Sequence, residues 1–246
     1  MTDSAPGLVS GQKCDIKLLK PTVITAVPLV LDRILKEVNE KLRSRTPVSE
    51  PIFKFLIDYK ATWTKRGYTC DIVRKLLCKQ VRNQLGGNLA YMIVGGAPLD
   101  SRTQATIKAA LDITLIQGYG ATETTGAALA MDFDDLEYGR VGAPLLGIKL
   151  RFKDWPEGGY SHKDKPYPRG EILIGGDMIA SGYYKLPRQC EEAFFIDREG
   201  TRWFRTGDIG QIYPNGTVKI IDRRKDLIKL QNGEYISLGK VSTSII

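Results

Sequence analysis

Two short apolar runs that each end in glycine constrain the fold of this chain most. LAYMIV (89–94) runs into Gly95 and Gly96, and ITLIQ (113–117) runs into Gly118. Between them, Asp100 or Ser101 can cap a helix that the apolar spacing carries to about Leu111. Strand, helix, strand is a βαβ unit, and a crossover of this kind makes its strands parallel. GGAP (95–98) and GYGATET (118–124) then leave from the same carboxyl-end edge of one sheet, where open α/β folds bind ligands.

Helical periodicity dominates before this unit and alternation after it. Residues 1–21 read as polar and irregular. Val30–Leu42 places Ile34, Leu35, Val38 and Leu42 on one helical face. Helices are also expected over Ile52–Thr64 and Asp71–Leu85. The last carries Lys and Arg around a stripe of Ile72, Leu76, Leu77 and Val81. That pattern fits a membrane-surface helix, but a helix packed on a core is the commoner origin. After Gly126, GIKLRFKDW, GEILIGGDMI and GQIYPNGTVKII read as short strands of a mostly antiparallel section. Asn215-Gly216 and Asn232-Gly233 are hairpin signals.

Composition narrows the chemistry. The 246 residues carry a net charge of +8, with 42% hydrophobic and 26% charged residues. That is an ordinary soluble balance, and its positive excess favours anionic partners. The charge is not gathered into one block, and no nucleic-acid-binding motif is present. Cys14, Cys70, Cys78 and Cys190 lack Cys-x-x-Cys spacing, which argues against structural zinc and for a reducing compartment. The one histidine, His162, lies in a Gly/Pro/Lys loop where exposure is expected. A Ser-His-Asp or Cys-His machine is therefore disfavoured. No apolar run approaches the roughly 20 residues of a membrane span. The remaining chemistry is positioning and charge, with or without a metal ion.

GYGATET suits such chemistry. Its glycines let backbone approach a ligand, Thr122 and Thr124 offer hydroxyls, Tyr119 offers a ring for stacking, and Glu123 a carboxylate suited to Mg²⁺. The plainer reading is a strand-to-helix turn with Glu123 in the first helical turn. Asp208, between two glycines, reads as a turn residue that either presents both oxygens to adjacent hydroxyls or bonds its own backbone. Arg223, Arg224 and Lys225 beside Asp222 read most simply as a solvated basic turn.

GGAPL, QGYGATETTG, RVGAPL, GEILIGGDMIASGYY, WFRTGDIG and IDRRKDLIKLQNGEYISLGKV occur in that order. Together they resemble the adenylate-forming superfamily, specifically a long-chain fatty acid–CoA ligase. DWPEGGY and DKPYPRGEILIGG resemble its animal branch, which prefers long and polyunsaturated acyl chains. The resemblance implies a part of the large domain of an adenylate-forming enzyme: a parallel α/β sheet with helices, then a β-rich subdomain. It divides the chain into an α/β part (1–126), a β-rich subdomain (127–222), and a hinge with the first strands of a small domain (223–246). It implies ATP with Mg²⁺, CoA and a long-chain fatty acid as partners. Gly96, Ala97, Gln117, Gly118 and Tyr119 match residues that enclose adenine. Thr122 matches a phosphate-contacting threonine and Glu123 a Mg²⁺-associated glutamate. Asp208 matches the aspartate that grips the ribose hydroxyls, Arg223 its assisting arginine, and Lys225 the hinge position.

The resemblance also has gaps. The family's Ser/Thr/Gly-rich phosphate loop and its adenylation-step lysine find no counterpart, and Leu29 stands where relatives usually place an acidic residue. The chain is thus expected to be a middle segment, inactive alone, with part of its sheet missing. The resemblance implies association with membranes such as the cytoplasmic face of the endoplasmic reticulum, and the family's usual membrane anchor is not expected within this segment. A non-catalytic adenine-nucleotide-binding or interaction module is the alternative reading.

Overall fold

The computed structural model describes residues 14–44, 46, 48–229 and 235–237. The chain forms two compact units, Met1–Gln117 with Asp132–Gly139, and Gly118–Met131 with Arg140–Ile246. It passes from one to the other within a single strand, at Gln117-Gly118.

In the first unit, α1 (Asp15–Leu19) closes at Lys20, whose N–H bonds the Ile16 carbonyl. The expectation of irregular chain therefore fails here: five residues suffice for one helical turn when a left-handed residue ends it. β1 (Val23–Ala26) follows, then α2 (Pro28–Arg43), with proline at its first position, where no N–H is needed. α3 (Ser49–Lys65) and the short α4 (Asp71–Val73) come next. A π-helical turn, Arg74–Cys78, then leads into α5 (Lys79–Asn83), with Lys79 N–H reaching back to the Arg74 carbonyl.

This π turn overturns the expected apolar stripe. Ile72 and Leu76 are 76% and 62% exposed, while Val73, Cys78, Val81 and Leu85 are buried. A π turn holds more residues than an α turn, so the inward face passes from Val73 to Cys78 instead of following 3.6-residue spacing.

β2 (Tyr91–Val94), α6 (Ser101–Leu111) and β3 (Thr114–Ala121) form the expected βαβ unit. β1 and β3 both pair with β2 in parallel, in the register Val23↔Tyr91 and Tyr91↔Thr114. Asp100 caps α6, accepting N–H bonds from Arg102 and Thr103 at 2.9 and 3.0 Å. Leu31, Phe53, Ile57, Met92, Val94, Ile107 and Leu115 are buried in one core.

The second unit is antiparallel. The second half of β3 pairs with β4 (Gly126–Ala130), and β4 with β5 (Ala143–Pro144). A second sheet orders β6 (Lys149–Lys153), β7 (Arg169–Gly175), β9 (Arg202–Ile212) and β10 (Val218–Arg223) as β10-β9-β7-β6. The helix α7 (Pro187–Ala193) leads into β8 (Phe194–Ile196), which pairs with β9. β11 (Leu227–Lys229) and β12 (Tyr235–Ser237) pair antiparallel. The expected Asn215-Gly216 hairpin joins β9 to β10, with Ile212 opposite Val218. Asn232-Gly233 lies outside the described residues. Ala128, Leu129, Ile172, Ile174, Phe204 and Val218 lie in this unit's core. None of the described helices is long and apolar enough to cross a membrane.

Candidate functional site

GYGATET leaves β3 as a tight reversal into β4. At Gly120 a Cβ would lie 1.9 Å from the Gly126 carbonyl oxygen, so only glycine permits this approach. A 3-10 turn, Thr122–Thr124, occupies the bend, and a strand follows it where the plain reading expected a helix. The buried Thr124 closes the turn: its Oγ1 accepts the Ala121 N–H at 2.9 Å and lies 2.8 Å from the Gly126 carbonyl. Thr124 is therefore spent on structure, which leaves Thr122, exposed at the apex, as the available hydroxyl.

Glu123 is half-buried and fixed from two directions. Its backbone carbonyl accepts the Ala180 N–H at 2.9 Å, and its Oε1 accepts the Tyr183 hydroxyl at 2.6 Å. Burial and the Glu123 carboxylate push the Tyr183 hydroxyl up to about 12, so it stays a donor at neutral pH. Sequence reasoning did not single out Tyr183, although it stands in the SGYY motif.

Asp208 lies inside β9, not in a turn. Leu173 pairs with Arg205 and Glu171 with Ile209, so Thr206, Gly207 and Asp208 stand opposite Ile172 alone. Gly207 takes φ +72°, a bulge geometry open to glycine, and the strand continues through it. The bulge turns the Asp208 carboxylate toward Tyr119, whose hydroxyl donates to Oδ2 at 2.6 Å. Oδ1 lies 3.3 Å from Arg223 Nε, across the β9–β10 register pair. Burial pushes the Asp208 carboxyl up, opposed by the Tyr119 hydroxyl and the Arg223 guanidinium, which favour its charged form. Burial and the Asp208 carboxylate likewise raise Tyr119. Local backbone bonding at this position is made by Thr206 Oγ1, which accepts the Asp208 N–H at 3.0 Å.

The basic run diverges residue by residue. Arg223 faces Asp208, Arg224 Nη1 reaches the buried Glu171 at 2.8 Å, and Lys225 is exposed. The solvated-turn reading therefore holds for Lys225 but fails for Arg224, which meets a buried carboxylate. Among the second-unit positions, the structure brings Tyr119, Asp208 and Arg223 together, and ties Glu123 to Tyr183.

In the first unit, Gly96 and Ala97 are exposed on the loop after β2, and Gln117 is buried in β3 opposite Val94. The Gln117 Oε1 is a buried acceptor without a hydrogen-bond partner among the described residues. An acceptor of this kind fits the amino group of a base. His162 is exposed, as its loop predicts, with Nδ1 2.8 Å from Asp154 Oδ1.

A carboxylate offers about four acceptor positions, so Asp208 keeps capacity for ribose hydroxyls beside Tyr119 and Arg223. No group of three or more His, Cys, Asp or Glu side chains among the described residues is placed to hold a metal. Glu123 is a single carboxylate with one oxygen, Oε1, already accepting from Tyr183.

The family described as AMP-binding enzyme matches residues 5–184. Long chain acyl-CoA synthetase 8 of Arabidopsis thaliana is 40% identical over 251 residues, covering 100% of this chain and 35% of that protein. Fatty acyl-CoA synthetase A of Dictyostelium discoideum is 33% identical, covering 94% of this chain and 34% of that protein. The chain thus spans about a third of the length of these curated relatives. Among solved structures, the A domain of the carboxylic acid reductase of Segniliparus rugosus, in complex with AMP and a co-purified carboxylic acid, superposes with a TM-score of 0.66 at 27% identity. That likeness covers 92% of this chain and 31% of the reductase domain. The mixed parallel and antiparallel architecture of adenylating domains is the fold of this chain, which belongs to the AMP-binding enzyme family.

Proposed function

We propose that this chain carries the adenosine-handling part of a long-chain fatty acid–CoA ligase. In the parent reaction a fatty carboxylate attacks the α-phosphorus of ATP, giving acyl-adenylate and pyrophosphate. The thiol of CoA then displaces AMP to give the thioester. Support comes first from one constellation: Asp208, poised by the Tyr119 hydroxyl at 2.6 Å and by Arg223, at the positions of WFRTGDIG and IDRRKD. The relatives named as long chain acyl-CoA synthetases support the substrate class.

In this reading Asp208 accepts from the ribose hydroxyls and Arg223 keeps it charged. Tyr119 supplies the stacking face for the base, beside Gly118. Thr122 donates its exposed hydroxyl to a phosphate oxygen. Glu123, held by Tyr183, receives Mg²⁺, which when bound neutralises phosphate charge. Lys225 lies at the hinge. No general base is required, because the attacking carboxylate is already a nucleophile; alignment and charge supply the rate. A long-chain acyl substrate would place the parent reaction at a lipid-handling membrane, such as the cytoplasmic face of the endoplasmic reticulum.

Calorimetric titration of the purified chain with a non-hydrolysable acyl-adenylate analogue tests this reading. Saturable binding that Asp208→Ala weakens is the expected result. A folded wild-type chain that fails to bind would end it. Binding without turnover would leave the non-catalytic nucleotide module.

A further inference from the structure

Glu171 is 3% exposed in the middle of β7, opposite Ile209 of β9. A buried carboxylate is costly, and an apolar pair in its place would often be as stable or more so. Its partner comes from the turn after β10: Arg224 Nη1 lies 2.8 Å away, with its guanidinium carbon 5.0 Å from the Trp155 ring centroid. Trp155 stacks on Tyr160 at 6.1 Å, and the Arg169 guanidinium carbon lies 5.0 Å from the Tyr160 ring centroid. The Tyr160 hydroxyl donates to Asp222 at 3.2 Å, one residue before Arg223. Ile221 and Leu227, on either side of the turn, pack on the same cluster of Trp155, Tyr160 and Ile209.

The 223–226 turn is thus fastened to its own sheet by an ion pair, a cation–π contact and apolar packing. The neighbouring side chains then have fixed directions. A register shift between Ile220 and Asp222 sets Arg223 opposite Asp208, while Lys225 stays exposed. Arg223 alone could not hold this arrangement, since its 3.3 Å contact with Asp208 involves a largely exposed guanidinium.

We propose that Arg224 is a positioning residue: its pair with the buried Glu171 and its stack on Trp155 orient the turn so that Arg223 faces Asp208 and Lys225 faces solvent. The proposal deepens the nucleotide reading above and rests on it for the meaning of Arg223 and Lys225. The anchoring itself is a property of the chain that can be measured without any ligand.

The test compares wild type with Arg224→Gln, Glu171→Gln and Arg224→Lys, by hydrogen exchange and by calorimetric titration with AMP. Arg224→Gln is expected to speed amide exchange about tenfold across residues 223–227 while β7 and β9 keep wild-type protection. It is also expected to weaken AMP about tenfold, the loss of roughly one charge-assisted contact's orientation. Arg224→Lys keeps the charge opposite Glu171 and should recover most of the affinity, which a merely structural role would not do. If Glu171→Gln fails to fold, the partly exposed Arg224 variants carry the test alone. Exchange and affinity both unchanged in Arg224→Gln would overturn the proposal. So would a uniform loss of protection across the second unit with affinity falling only in step. If wild type does not bind AMP but Arg224→Gln still frees residues 223–227, the anchoring stands and the nucleotide reading falls.

Discussion

Each unit holds a buried ion pair, and the two pairs work differently. In the first, Lys60 of α3 is 3% exposed, with Nζ 2.5 Å from Asp112 and 2.9 Å from the Ala109 carbonyl. It joins α3 to the end of α6, where Asp112 takes the left-handed conformation. Cys78 donates to the same Ala109 carbonyl at 3.2 Å, and burial pushes its thiol up, so it stays neutral and unreactive. Every charge there is answered locally. In the second unit, Glu171 is buried but Arg224 is 39% exposed, and the neighbouring Asp208–Arg223 pair opens to solvent on the arginine side. Buried charge alone does not mark a site.

The largest expected effect tests that division. Lys60→Met should cost about 3 kcal/mol, toward the lower end for a broken buried pair, because Asp112 keeps some access to water. Urea unfolding should show the loss with an unchanged slope. AMP affinity, measured where the variant is folded, should stay at wild type. A Lys60→Met chain of wild-type stability that binds AMP poorly would break the comparison.

Next comes Gly120→Ala, which places a methyl against the Gly126 carbonyl. Overpacking of backbone costs about 3 kcal/mol. Here stability and nucleotide binding should fall together, because the same hairpin carries Thr122 and Glu123. Asp208→Ala should separate them. Losing a charged hydrogen-bonding group is worth about 2 kcal/mol of binding, or roughly thirtyfold in affinity. Its unfolding midpoint should change less than that of Lys60→Met, since the exposed Arg223 turns to water and only the Tyr119 hydroxyl loses a buried partner. Equal losses of stability in the two variants would show that Asp208, too, is only structural.

How much of this was legible in the sequence follows from the reach of each signal. The βαβ unit was readable because its parts are local: a cap at Asp100 and glycines after each strand. β1 was missed because four residues, Val23–Ala26, show no alternation long enough to separate from loop. The inward face of Asp71–Leu85 was misassigned because a π turn leaves no mark on apolar spacing. Asp208 was placed in a turn because Gly-Asp-x-Gly is turn chemistry, whereas a bulge uses the same residues inside a strand. The partners of the site residues were the least legible. Tyr183 meets Glu123, and Glu171 meets Arg224, across sequence separations of 60 and 53 residues that only the tertiary fold closes.

The smallest expected effects concern the tyrosine–carboxylate pairs of that second unit, which have no counterpart in the Lys60 network. Tyr183 donates to Glu123 and Tyr160 to Asp222, and burial with the adjacent carboxylate raises both hydroxyls to about 12. An unfolded tyrosine ionises near pH 10. The folded state therefore holds these protons more tightly, so the stabilisation is complete below about pH 10 and is lost as pH rises toward 12. Urea midpoints should fall across that window in wild type, and Tyr183→Phe and Tyr160→Phe should each flatten the fall. At neutral pH each variant should cost about 1 kcal/mol, an ordinary hydroxyl bond. The two should then diverge in the presence of AMP and Mg²⁺. Tyr183→Phe frees the Glu123 carboxylate, so the Mg²⁺ dependence of nucleotide binding should shift. Tyr160→Phe should leave that dependence alone and alter only exchange near Asp222. Identical Mg²⁺ dependence in both would remove Tyr183 from the site and leave Glu123 held by structure alone.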